Sequence, residues 1–157
     1  MVIISEESVF PAAREKLWRV LELHTDNEVI GRIHPAILSQ KQLSKEGNRW
    51  VLERVMHTYG RTFNLTMQWE MAPMDFFRWE IIASTGPVTP GSYIENRFSD
   101  AGDATKLITR GEMTLKGLPG FMQPWFVGRT LGQADKEDLR YLVKSKPYST
   151  PSEMEHE

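Results

Sequence analysis

"RTFNLTMQWEMA", residues 61–72, alternates without interruption: Phe63, Leu65, Met67, Trp69 and Met71 share one parity, and Thr62, Asn64, Thr66, Gln68 and Glu70 the other. Successive side chains of a strand point to opposite faces, so this segment reads as a strand of an antiparallel sheet, packed on one side and wet on the other. The preceding residues, "RWVLERVMHTY", keep a loose period of two and reach it through Gly60, so residues 49–72 read as a hairpin-like stretch.

The pattern extends in both directions. Upstream, "AILSQKQLS" is a strand and "KEGN" a turn carrying Gly47. Downstream come the strand "FFRWEIIAS", the rigid loop "TGPVTPG", the strand "SYIENRFSD", the turn "AGDA" and the strand "TKLITRGEMTL". Within the second of these strands Ile94, Asn96 and Phe98 oppose Tyr93, Glu95 and Arg97, and the latter set reads as solvated.

The N-terminal quarter has a different rhythm. "VIISEESVF" is a strand that stops at Pro11, and "PAAREKLWRVLELH" places Ala13, Leu17, Val20, Leu21 and His24 at helical spacing. Residues 25–34 predict a second short helix, with Asn27 or Asp26 as its cap and Val29, Ile30 and Ile33 as its buried stripe; His34-Pro35 ends it.

At the other end, "GLPGFMQPWFVGRTLGQADKEDLRYLVK", residues 117–144, predicts a long helix from about Pro124, with Trp125, Gly128, Gly132, Leu139 and Leu142 on one side. Glycine inside a helix costs roughly 0.5–1 kcal/mol relative to alanine, so Gly128 and Gly132 call for either close packing or room for something that is not protein. Residues 146–157 carry no apolar period and are expected to be a disordered tail after a single domain spanning 1–145. Strand runs followed by a separate helix argue an α+β class rather than βαβ units.

Bulk composition narrows the function. The chain has 157 residues, enough for one real core, with 19 basic and 21 acidic side chains and a formal charge of -2. No basic stripe supplies the field that nucleic-acid binding needs, so no nucleic-acid partner is expected. The absence of cysteine removes disulfides and thiolate chemistry, and no apolar run reaches the ~18 residues of a membrane span; the chain reads as cytoplasmic, without stable membrane insertion. Five tryptophans, seven phenylalanines and eight methionines supply large, adaptable apolar side chains, suited either to plain packing or to an irregular ligand. His24 with Asp26 and Glu28 lacks the spacing of a helical metal pair, and no nucleophile elbow, phosphate loop or dinucleotide fingerprint is present, so neither a metal nor a cofactor is expected.

"FPAAREKLWRVL", "IHPAI", "TYGRTFNLTMQWEMAP", "ATKLITRGEMTL" and "DKEDLRYLVK", in that order over residues 3–145, resemble the SRPBCC superfamily, which includes START domains, the major birch pollen allergen and proteins labelled polyketide cyclase/dehydratase. The resemblance implies a helix-grip fold. In it a curved antiparallel sheet wraps a long C-terminal helix, two short helices follow the first strand, and a mostly apolar cavity is enclosed. "FMQPWFVGRTLG" would roof that cavity. The ligand-binding residues expected on this basis are Phe63, Leu65, Met67, Trp69, Phe98, Phe121, Trp125, Gly128, Arg129 and Gly132, with Arg129 either meeting a ligand carboxylate or snorkelling at the surface.

Three functions remain open. The first is binding of a small hydrophobic ligand (a lipid, an isoprenoid or an aromatic polyketide-like compound) by a monomer or weak homodimer. The second is a cyclase/dehydratase-like enzyme. His57, Tyr59 and Arg61 alternate along one stretch and, with Glu70, could supply acid–base and oxyanion-stabilising groups if their face is the cavity. If it is the solvated side they are ordinary cross-strand neighbours, and a bulge at Gly60 would swap their parity. The third is a protein-interaction module. Glu80, Glu95 and Glu112 would matter only if buried, and Arg78, Arg97 and Arg110 offer them surface mates.

Overall fold

The computed structural model describes residues 1–30, 36–58 and 60–126. Seven segments are strands: β1 (Val2–Phe10), β2 (Ile37–Glu46), β3 (Arg49–Thr58), β4 (Arg61–Ala72), β5 (Phe76–Ser84), β6 (Tyr93–Ala101) and β7 (Ala104–Met113). They form one antiparallel sheet in the order β1-β7-β6-β5-β4-β3-β2, so β2 to β7 run as a meander and β1 closes onto β7 at the far edge. Between β1 and β2 lie α1 (Arg14–Glu22) and a 3-10 turn (Leu23–Thr25); α2 (Gln123–Phe126) comes after β7. The expected long C-terminal helix beyond Phe126, with Gly128, Arg129 and Gly132, the expected tail 146–157, Tyr59, Ile33 and His34 lie outside the described residues.

Alternation along each strand separates a packed inner face from a wet outer one. On β4 Phe63, Leu65, Met67, Trp69 and Met71 are all buried, as the period-two reading requires, and on β6 the buried set is Ile94, Asn96 and Phe98. Leu52 on β3, Phe77 and Ile81 on β5, and Leu107 and Met113 on β7 join them in one hydrophobic cluster. The outer face is laced with exposed or half-exposed ion pairs, Arg78–Glu80 at 3.0 Å and Arg97–Glu95 at 2.7 Å among them. Pairs so open to water contribute little stability and mainly keep that face hydrated.

The helical segment is shorter than its periodicity predicts. α1 begins at Arg14, with Ala13 extended (φ -66°, ψ 158°) at the cap position. The buried stripe is Leu17, Trp18, Val20 and Leu21; Ala13 is exposed and His24 half-buried, while Ala12, whose N–H bonds to Phe10 O at 2.8 Å, is buried. Asp26, rather than Asn27, caps the next turn of chain: its Oδ1 accepts from the N–H of Glu28 (2.9 Å) and Val29 (3.2 Å), and Ile30 N–H bonds to Asp26 O at 3.0 Å. Val29 and Ile30 are buried as expected. α1 lies against the inner face, where Trp18 meets Phe98 edge-on with ring centroids 5.7 Å apart.

Candidate functional site

The inner face carries a row of aromatic side chains in direct cross-strand register. Trp50 of β3 opposes Trp69 of β4, which opposes Trp79 of β5. Trp69 also stacks on Phe77 (centroids 5.9 Å, planes 9° apart), and Phe77 leads to Phe98 at 6.1 Å. Five of the residues expected to contact a ligand, Phe63, Leu65, Met67, Trp69 and Phe98, therefore belong to a single buried surface. Phe63 is capped by the loop after β5: a Cβ on Gly86 would overlap its ring, so the glycine lets that loop lie flat on it.

Buried polar groups interrupt this surface, and two sets of them are linked by side-chain hydrogen bonds. Arg54 has the same parity as Leu52 and is only 6% exposed. Its Nε donates to Gln40 Oε1 (2.6 Å), its Nη2 donates to His24 O (3.0 Å), and its guanidinium carbon lies 5.2 Å from the centroid of the Trp69 ring. Gln40 in turn donates to His24 O (3.1 Å) and Asn27 Oδ1 (3.2 Å), tying the segment after α1 to β2 and β3. Further along, Thr109 Oγ1 donates to Asn96 Oδ1 at 2.6 Å between β7 and β6. A bulge-type register shift on either side of Gln40–Gln42 sets Gln40 opposite Arg54.

Reading the sequence missed Arg54, Gln40 and Thr109. The available signal was parity: Arg54 alternates with Leu52 and Met56 as though it were apolar, as Asn96 does with Ile94 and Phe98.

The residues expected to act together in catalysis do not share a face. His57 pairs with Thr62 and its Nδ1 lies 2.9 Å from Thr62 Oγ1 on the exposed outer side. Thr58 pairs with Arg61, so β3 and β4 are joined through residues 59 and 60 with Gly60 at φ +72°; alternation does not carry across that turn, and Arg61 takes the parity of Phe63, opposite to His57. Glu70 is on the outer face, 4.0 Å from Arg49. Tyr59 lies outside the described residues.

Phe121 differs from expectation too. It is 83% exposed, the most exposed large hydrophobic side chain among the described residues. A turn closed by Met122 N–H to Pro119 O (2.9 Å) holds it at the tip, while Gln123 Nε2 donates to Leu115 O and Leu118 O, both at 3.1 Å, and fastens the base of the loop. Trp125 falls within α2. Among the described residues no three His, Asp or Glu side chains group as metal ligands, and no helix is long and apolar enough to cross a membrane.

No protein-family model matches the sequence, and no curated protein matches it either. Solved structures do. Ara h 8.0201 superposes with a TM-score of 0.73 at 18% identity, over 92% of this chain and 99% of its own. A START superfamily protein from Mycobacterium smegmatis gives 0.74 at 17% identity, over 90% of this chain and 97% of its own. The Zhui aromatase/cyclase from Streptomyces sp. R1128 gives 0.69 at 12% identity, over 90% and 91%. Agreement of this extent, with the strand order and the buried inner face above, gives the chain an SRPBCC/START-like fold.

Proposed function

We propose that this chain binds a small hydrophobic molecule against the inner face of its sheet, in the class of lipids, isoprenoids or aromatic polyketide-like compounds. The observation that carries the reading is the make-up of that face: a continuous aromatic and methionine surface from Phe63 to Met71, interrupted by only a few buried polar side chains, Arg54 and Asn96 among them. Sites for small apolar ligands have this form, with mostly hydrophobic walls and a few placed polar groups that set orientation. Similar structures that include an aromatase/cyclase agree with an apolar, ring-bearing ligand class.

Binding is favoured over cyclisation by the chemistry of the buried polar side chains. Among the described residues these are Ser8, Gln40, Arg54, Ser92, Asn96, Thr105, Thr109 and Gln123. Amides, hydroxyls and a guanidinium donate and accept hydrogen bonds, but none exchanges a proton readily near neutral pH, as a general acid or base must.

Native mass spectrometry of freshly purified protein, repeated after denaturation with organic extraction, tests the reading. A co-purifying apolar mass released on denaturation is the expected result. Protein that is bare as isolated and takes up no lipophilic compound on titration would overturn it.

A further inference from the structure

Trp69 is 3% exposed, yet its Nε1–H has no hydrogen-bond partner among the described residues. An indole nitrogen is a donor only, and buried donors in folded proteins are nearly always satisfied. The buried amide oxygens of this face bond to other donors: Gln40 Oε1 accepts from Arg54, and Asn96 Oδ1 accepts from Thr109. The ring is also held in place. Phe77 stacks on it, the Arg54 guanidinium lies over it, and Trp50 and Trp79 oppose it on both neighbouring strands. Turning the N–H towards water would break several of these contacts at once.

We infer that Trp69 Nε1–H is the polar anchor for the molecule bound at the inner face, and that this molecule carries a carbonyl-type oxygen on a flat apolar body. The inference rests on the ligand-binding reading above. A donor-only group selects an acceptor, so hydrocarbons leave it unmet. The flat surroundings of Trp50, Phe77 and Trp79 favour a planar ring system, which can stack as Phe77 does on Trp69. The nearby Arg54 charge favours an electron-rich oxygen and disfavours cationic amines. The ligand class is thereby narrowed from lipophiles in general to planar ketones, quinone-like rings and their relatives.

The test compares 9-fluorenone with fluorene, flat tricycles of nearly the same shape that differ by one carbonyl oxygen, titrated calorimetrically into the full chain. Fluorenone should bind about five- to tenfold more tightly, the worth of one net hydrogen bond. Trp69→Phe, which keeps a ring and removes the donor, should abolish that preference while retaining fluorene binding. A second measurement needs no variant to be stable: in a 15N-edited NMR spectrum of the unaltered protein, one indole N–H resonance should move downfield with fluorenone and not with fluorene. Equal binding of the two compounds, or a preference that survives Trp69→Phe, overturns the anchor and leaves the ligand-binding reading standing. Binding of neither compound overturns the anchor, and bare protein in the mass spectra would then remove the ligand-binding reading as well.

Discussion

Arg54 Nε donates to Gln40 Oε1 across 2.6 Å, and both side chains are buried on the inner face of the sheet. A guanidinium in that position depends on each acceptor it has. Gln40→Met keeps the length of the side chain, removes the acceptor, and also releases His24 O and Asn27 from their amide donor. The expected loss is about 1.5–3 kcal/mol, as for a hydrogen bond to a charged group, read from urea unfolding. A change below about 0.5 kcal/mol, the scatter of surface substitutions, would mean that the bond is not holding the β2–β3 end together.

Gly86→Ala should be destabilising although the position is in a loop. The added methyl would overlap the Phe63 ring at its inner carbons, which cannot swing away as a flexible chain end could. Overpacking of this kind costs about 1–3 kcal/mol. Combining it with Phe63→Leu should recover part of the loss, and strict additivity of the two changes in thermal unfolding would argue that they do not touch.

Thr105 is fully buried and its hydroxyl donates to Ala12 O at 2.7 Å, joining β7 to the bend between β1 and α1. Thr105→Val preserves the shape and leaves that carbonyl unmet, at about 1–3 kcal/mol. Calorimetric melting should show the drop, and Thr105→Ser should show clearly less. Equal melting temperatures for the valine variant and the parent chain would refute the assignment.

His57→Ala should alter neither stability, beyond about 0.5 kcal/mol, nor uptake of fluorenone. The imidazole is exposed and its one described partner is the Thr62 hydroxyl. A large loss of ligand uptake in this variant would place the site on the wrong face of the sheet.

Periodicity made most of the sheet legible in the sequence. Alternation from Phe63 to Met71 and the turn glycines locate the strands almost to the residue, since each rule acts within a few neighbouring positions. The remaining features need information from farther away. Arg54 becomes an interior residue only because register shifts on β2 deliver Gln40 to it, and a single strand says nothing of its partner's register. Counting through Gly60 gives His57 and Arg61 one face, but there the chain turns back and parity resets. The family resemblance places Phe121 among the ligand contacts, whereas the Pro119–Met122 turn leaves it at an exposed loop tip. The orphaned indole of Trp69 has no sequence signal at all, because an unmet donor is a property of its surroundings.

The sheet order sets a timetable for folding. Of the seven described strands β1 is made first, yet Val2 pairs with Met113 and Phe10 with Thr105, so its partner is the last of the seven. The hairpins from β2 to β7 can close in turn as they emerge, each across a short loop, whereas β1 must wait through the synthesis of the whole meander with its apolar residues unpaired. Closure of β1 onto β7 is thus a pairing of high sequence separation, and until β7 has been made Val2 and Phe10, both buried in the finished fold, have no strand to lie beside.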